Sequence, residues 1–163
     1  SYSHVGIATK KNHKWFVLEA IPRKGVVLTS LNKFLNRNKA KFNKYETSVA
    51  RLDSNYNVYI SDAINFGLEK INSPYDNLFT WDDSSYYCSE LIYKMFSSQN
   101  LSKDSLPFKT NLMTFNDITG RPMQSWVNYY KSLNYEIPEG KIGTNPNLIA
   151  SSAHIKFIHD YDN

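Results

Sequence analysis

A chain of 163 residues with 41% apolar and 15% aromatic content is long enough to bury one hydrophobic core, and we read it as a single domain, 1–163. Its one cysteine excludes an internal disulfide framework and a thiolate-only metal site, and no apolar run approaches the roughly 20 residues of a membrane span. The net charge of +4 conceals an asymmetry: residues 10–51 hold 11 of the 19 Lys and Arg but only Glu19 and Glu46 as acids, a balance of +9 against −5 elsewhere. That segment fits either an anionic partner or a solvated Lys/Asn-rich face. No nucleic-acid motif accompanies it, so no nucleic-acid partner is expected, and nothing in the sequence supports a membrane-surface role.

In chain order, "SHVGIAT" and "KWFVLEAI" are short β-rich runs separated by the polar turn "KKNHK". A hairpin about Lys11–Asn12 sets Ala8 opposite Trp15, Gly6 opposite Val17 and His4 opposite Glu19, so that an imidazole and a carboxylate meet. A one-residue slip would put them on opposite faces. "GVVLTSLNKFLNR" reads as a strand end followed by a helix with Leu31, Phe34 and Leu35 apolar, and "TSVARL" as another strand. "VYISDAINFGLEKIN" carries Ile60, Ile64, Leu68 and Ile71 on one helical stripe, with Ser61 or Asp62 near its start. "SPYDNLFTWDDSS" is loop by composition. Cys88, Leu91, Ile92, Met95 and Phe96 then fall at i, i+3, i+4, i+7 and i+8, one helix face headed by the cysteine. "SWVNYYKSL" reads as a short helix, and "HIKFIHDY" as a closing strand after an Asn145-Pro146 turn.

Several chemistries are disfavoured. His4, His13, His154 and His159 form neither an HExxH motif nor an HxH pair near the cysteine, so neither zinc nor another cofactor is expected. "EGKIGTN" lacks the spacing of a phosphate loop, and Asp82-Asp83 suits a loop or a helix cap better than a glycosidase pair. Cys88 keeps two readings. On an apolar stripe it is a small core residue. At a helix start after the cap-rich "DDSS" it is a candidate thiolate, since unpaired N–H groups there favour negative charge and offer part of an oxyanion hole. A thiolate needs a proton acceptor and the acceptor an orienting group, which His4 and Glu19 would supply. Glu90, in the first turn, reads as an acid that complements the helix dipole or pairs with a basic neighbour.

The order "SHVGI", "VLEA", "SPYDNLF…YYCSELIY", with "NPNLIASSAHIKFI" near the end, resembles the YiiX/YebB-like group of cysteine hydrolases, circularly permuted relatives of NlpC-type and papain-like enzymes. The histidine precedes the cysteine, the reverse of the unpermuted enzymes. The resemblance implies an α+β fold, with an antiparallel sheet or small barrel packed on the helix that starts at the cysteine. It implies Cys88 as nucleophile, His4 as base, Glu19 as its orienter and Tyr75 as an aid in polarising a carbonyl. It further implies an amidase or peptidase acting through a thioester, without cofactor or metal, on a small-molecule, peptide or lipid-derived acyl substrate. Lipid acyl transfer and a non-catalytic binding module are the alternatives. A cell-envelope, periplasmic or secreted location follows from the resemblance alone. Relatives carry a further strand and loop with a Gly-Asp pair before "SHVGI". This chain opens almost at His4 with neither initiator Met nor signal peptide, and reads as a mature or trimmed product.

Overall fold

The computed structural model describes residues 1–42 and 46–161. Its central sheet is antiparallel, in the order β1 (Ile7–Lys11), β2 (Lys14–Ile21), β3 (Gly25–Ser30). Asn12 and His13 join β1 to β2 with φ of 48° and 61°, the two-residue geometry whose twist matches the flanking strands. Lys11 therefore pairs with Lys14, Ala8 with Val17 and Ile7 with Leu18, which corrects the predicted Lys11–Asn12 turn by one residue. The turn moves because Asn12 accepts the left-handed conformation that its first position demands. Cross-strand partners change by two positions, an even number, so every side chain keeps its predicted face.

β2 is buried on both faces. Val17, Leu18, Glu19 and Ala20 are all inaccessible to solvent or nearly so. Leu18 and Ala20 join the main core with Val26, Ala63, Tyr86, Leu91, Ile92, Met95, Phe96, Phe108 and Ile149. Alternation along the strand turns Val17 and Glu19 to the other side.

Helix α1 (Leu31–Phe42) lies against β2 and β3, while α2 (Asn57–Glu69) and α3 (Cys88–Ser97) pack on each other, with α3 also on β2. Ile60, Ile64, Leu68 and Ile71 line the core as their spacing predicts. The helix begins earlier than predicted, with Tyr56 in the capping position, so Ser61 and Asp62 sit inside it. β4 (Thr47–Leu52) pairs with β7 (Ile155–Tyr161), and β5 (Asn111–Leu112) with β6 (Ile142–Gly143), both antiparallel. Helix α4 (Gln124–Ser132) follows the predicted "SWVNYYKSL". The Asn145-Pro146 turn proves to be the start of a short helix, α5 (Pro146–Ala150), where the Asn145 side chain accepts from Leu148 N–H at 2.9 Å. Among the described residues the strands form three separate sheets and no closed barrel. No described helix is long and apolar enough to cross a membrane.

Candidate active site

Three segments meet where α3 begins. The first runs ahead of β1 and carries His4. Gly6 lets it lie close on β2, since a Cβ there would sit 2.5 Å from Val17 Cγ1 and 3.2 Å from Glu19 Cβ. His4 Nε2 reaches Glu19 Oε2 at 2.6 Å, so the two side chains meet, although His4 lies outside the ladder and is not the directly opposed partner of Glu19 that the predicted register made it.

The second segment is β2 itself. Glu19 is completely buried, yet both of its oxygens have strong donors. Arg37 of α1 donates Nη1 to Oε2 at 2.9 Å and Nη2 to Oε1 at 2.6 Å. Burial alone would raise the Glu19 pKa, but hydrogen bonds from Arg37, His4 and Thr29 overcome it and hold the carboxyl at about 2. Glu19 is therefore an anion at neutral pH. His4 shows the complementary balance. Burial would lower its pKa, while its interaction with the Cys88 side chain and its hydrogen bond to Glu19 push it up to about 9.

The third segment is the loop leading into α3. Gly25, at φ +70°, packs against the Ser73 carbonyl, which a Cβ would overlap. Val26 N–H donates to Ser73 O, Asn72 N–H to Val26 O, and Tyr86 N–H to Pro74 O. These bonds clamp residues 72–76 between β3 and the approach to α3, and so hold Tyr75 within electrostatic range of the cysteine. Burial, and then the proximity of Cys88, raise the Tyr75 pKa, so its hydroxyl remains a proton donor. Buried Asp76 shapes the rest of the loop by accepting from the N–H groups of Leu78 and Thr80 at 2.9 and 2.7 Å.

Cys88 is the first residue of α3 and is only 6% exposed. It belongs to the buried face with Leu91, Ile92, Met95 and Phe96, and its side chain interacts with His4. The cap differs from the "DDSS" expectation. Tyr87 is the N-cap residue in extended conformation, and its N–H donates to Glu90 Oε2 at 3.2 Å. Asp82 instead accepts from Ser84 N–H in a turn upstream, while Asp83 pairs with Lys94 at 2.6 Å. Glu90 lies 3.3 Å from Lys94 Nζ, the basic neighbour expected of it. Its complete burial, reinforced by Asp76 and opposed by Lys94 and the Tyr87 N–H, pushes its pKa up to about 8.

The structure thus brings His4, Glu19, Tyr75 and Cys88 together. Sequence reasoning missed Arg37, whose charge was counted with the solvated face. The available signal was its spacing: Arg37 falls at i+3 from Phe34, and its guanidinium lies 5.4 Å from that ring. Among the described residues no three His, Cys, Asp or Glu gather where they could hold a metal ion.

A sheet backed by the helix that the cysteine opens, with the histidine earlier in the chain, is the papain-like cysteine-hydrolase fold in permuted order. Residues 1–159 match the permuted papain-like amidase enzymes of the YaeF/YiiX group, peptidase family C92, and the chain belongs to that family. The described protein "Uncharacterized protein YiiX" of Escherichia coli (strain K12) is 29% identical over 98 residues, 60% of this chain. That stretch spans 46% of YiiX, about half its length. A crystal structure described as metalloprotein YiiX from Escherichia coli O157:H7 superposes with a TM-score of 0.76 at 21% identity, covering 98% of this chain and 83% of that one.

Proposed function

We propose that the protein is a cysteine amidase that cleaves an amide in a small acyl or peptide substrate, with Cys88 as nucleophile, His4 as acid and base, Glu19 as the group that orients His4, and Tyr75 as a carbonyl donor. The observation that carries this reading is the 2.6 Å contact between His4 Nε2 and a buried, ionised Glu19, made beside the one cysteine at a helix start. An ionised carboxylate only accepts, so Nε2 carries a proton toward Glu19 and Nδ1 is the nitrogen that serves the reaction.

Cys88 gives its thiol proton to His4 Nδ1, forming an imidazolium, and the Sγ thiolate attacks the carbonyl carbon. The developing oxyanion is met by N–H groups of the first turn of α3, which have no acceptor within the helix, and by the Tyr75 hydroxyl. The His4 imidazolium gives its Nδ1 proton to the departing nitrogen, leaving a Cys88 thioester. The neutral imidazole then takes a proton from water, which attacks the thioester and releases the acid. None of these steps calls on a metal or cofactor.

The substrate is expected in the cell envelope or outside the cell, an assignment that rests on family resemblance. The test is to incubate the protein with peptidoglycan fragments, N-acyl amino acids and lipid esters, and to look for a Cys88 thioester by mass spectrometry. An acyl adduct from an amide, absent in Cys88→Ala, supports the reading. Adducts from lipid esters alone would favour a lipid acyl hydrolase or acyltransferase, and no adduct from any class a binding module.

A further inference from the structure

We infer that Arg37 is a positioning residue for this chemistry: its guanidinium fork holds Glu19 in the one orientation that presents Oε2 to His4, and keeps it a carboxylate well into the acid range. This rests on the reading of Cys88, His4 and Glu19 given above. It adds a fourth residue that touches none of the reacting atoms.

Geometry makes the case. A carboxyl group turns broadly about its last torsion, and a single bond from His4 leaves that rotation loosely determined. Two parallel bonds from Arg37, at 2.9 and 2.6 Å, fix the plane of the group. Oε2 then faces His4 while Oε1 is engaged elsewhere. The guanidinium is itself held, stacking on Phe34, whose ring also lies 6.0 Å from the His4 imidazole. One helical turn of α1 thus contacts both the orienter and the base. Arg37 stays 39% exposed, on the solvent side of a carboxylate that is fully buried.

Electrostatics supplies the second half. An ionised carboxylate with no solvent contact needs compensating donors, or it takes up a proton and stops accepting. Among the described residues, the charged or titratable groups facing Glu19 are His4, from the segment ahead of β1, and Arg37, from α1; the Thr29 hydroxyl of β3 adds a neutral contact. His4 gives up its proton during the proposed reaction, so its charge comes and goes. The charge on Arg37 is permanent. It keeps Glu19 ionised at the moment His4 is neutral, and makes Glu19 too weak a base to remove the Nε2 proton. Lysine offers a point charge without the fork, and so separates the two functions.

The experiment uses Arg37→Gln and Arg37→Lys in the whole chain, with two readouts. Carbon-13 NMR follows the Glu19 carboxyl through a pH titration, and kcat and KM are measured against pH on a substrate from the panel above. In Arg37→Gln, Glu19 should titrate higher by about 1–3 pH units, the range for loss of a close opposite charge. The acid limb of kcat should move up with it while KM changes little. Arg37→Lys should keep the low Glu19 titration but lose kcat at every pH. A Glu19 midpoint and acid limb unmoved in Arg37→Gln, even with lowered thermal stability, would reduce Arg37 to a structural residue and overturn the inference. If Arg37→Gln does not fold, full kcat in Arg37→Lys overturns it equally. If the wild type hydrolyses nothing, the Glu19 titration still decides the electrostatic inference, and only the catalytic reading falls.

Discussion

Replacing Glu19 with Gln changes shape least and chemistry most. The carboxylate accepts from His4 Nε2 at 2.6 Å and from two Arg37 nitrogens at 2.9 and 2.6 Å. A glutamine has one oxygen, and its NH2 group must face one of those donors. Glu19 has no solvent contact to absorb the mismatch, whereas Arg37, 39% exposed, can turn partly to water. At about 1.5–3 kcal/mol for a hydrogen bond to a charged group, the substitution should destabilise the fold by about 2–4 kcal/mol. The pH dependence gives a separate measure of the same interaction. The ordinary Glu pKa of 4.5 falls to about 2 on folding, so the native state binds fewer protons between those values. The stabilisation is complete above 4.5 and is lost as the pH falls toward 2, an effect of about 3 kcal/mol. Urea unfolding at a series of pH values should show that decline in the wild type and a flatter curve in Glu19→Gln. Turnover should drop by about 10²–10⁴, and the His4 midpoint, read by NMR, should fall from about 9 because the imidazolium loses its carboxylate. A His4 midpoint that stays put, together with a rate within a few-fold of wild type, would refute the assignment of Glu19 as orienter.

Other outcomes follow from the same geometry. Glu90 folds with a pKa raised to about 8, so wild-type stability should decline as pH rises from about 4.5 to 8; Glu90→Gln, measured by urea midpoints, should remove that decline and be more stable than the wild type at pH 7. Gly6→Ala should lower stability by about 1–3 kcal/mol, and turnover with it, because the new methyl meets Val17 Cγ1 and the Glu19 stem; a crystal structure with His4 unmoved and full activity would contradict this. If Cys88 is an activated nucleophile, iodoacetamide should alkylate it in the folded protein at pH 6–7 faster than it alkylates free cysteine, whereas modification only after denaturation would return it to the core. Binding to random duplex DNA, followed by fluorescence anisotropy, should be weak and vanish near physiological salt, since the +9 segment lacks a reading motif.

What the sequence determined by itself is what neighbours along the chain decide. The stripe from Cys88 to Phe96 is buried as its 3.6-residue period requires, and the cysteine opens the helix. β2 and β4 occupy the β-rich runs "KWFVLEAI" and "TSVARL". The strand residues keep their predicted faces although the turn is displaced by one residue, because the displacement preserves parity, and His4 reaches Glu19 from the segment ahead of the strand. The tertiary structure decided the rest. Arg37 is one of 11 basic residues in its segment, and only the docking of α1 beside β2 makes it the partner of a buried acid. Tyr75 comes within electrostatic range of Cys88 because bonds from β3 and from Tyr86 fold residues 72–76 back, contacts that no local pattern encodes. Glu90 looks in sequence like any first-turn acid, and its raised pKa comes from neighbours that enclose it from other parts of the fold. The physical division is between periodicity, which acts over a few residues, and desolvation and ion pairing, which depend on distances that only the assembled chain defines.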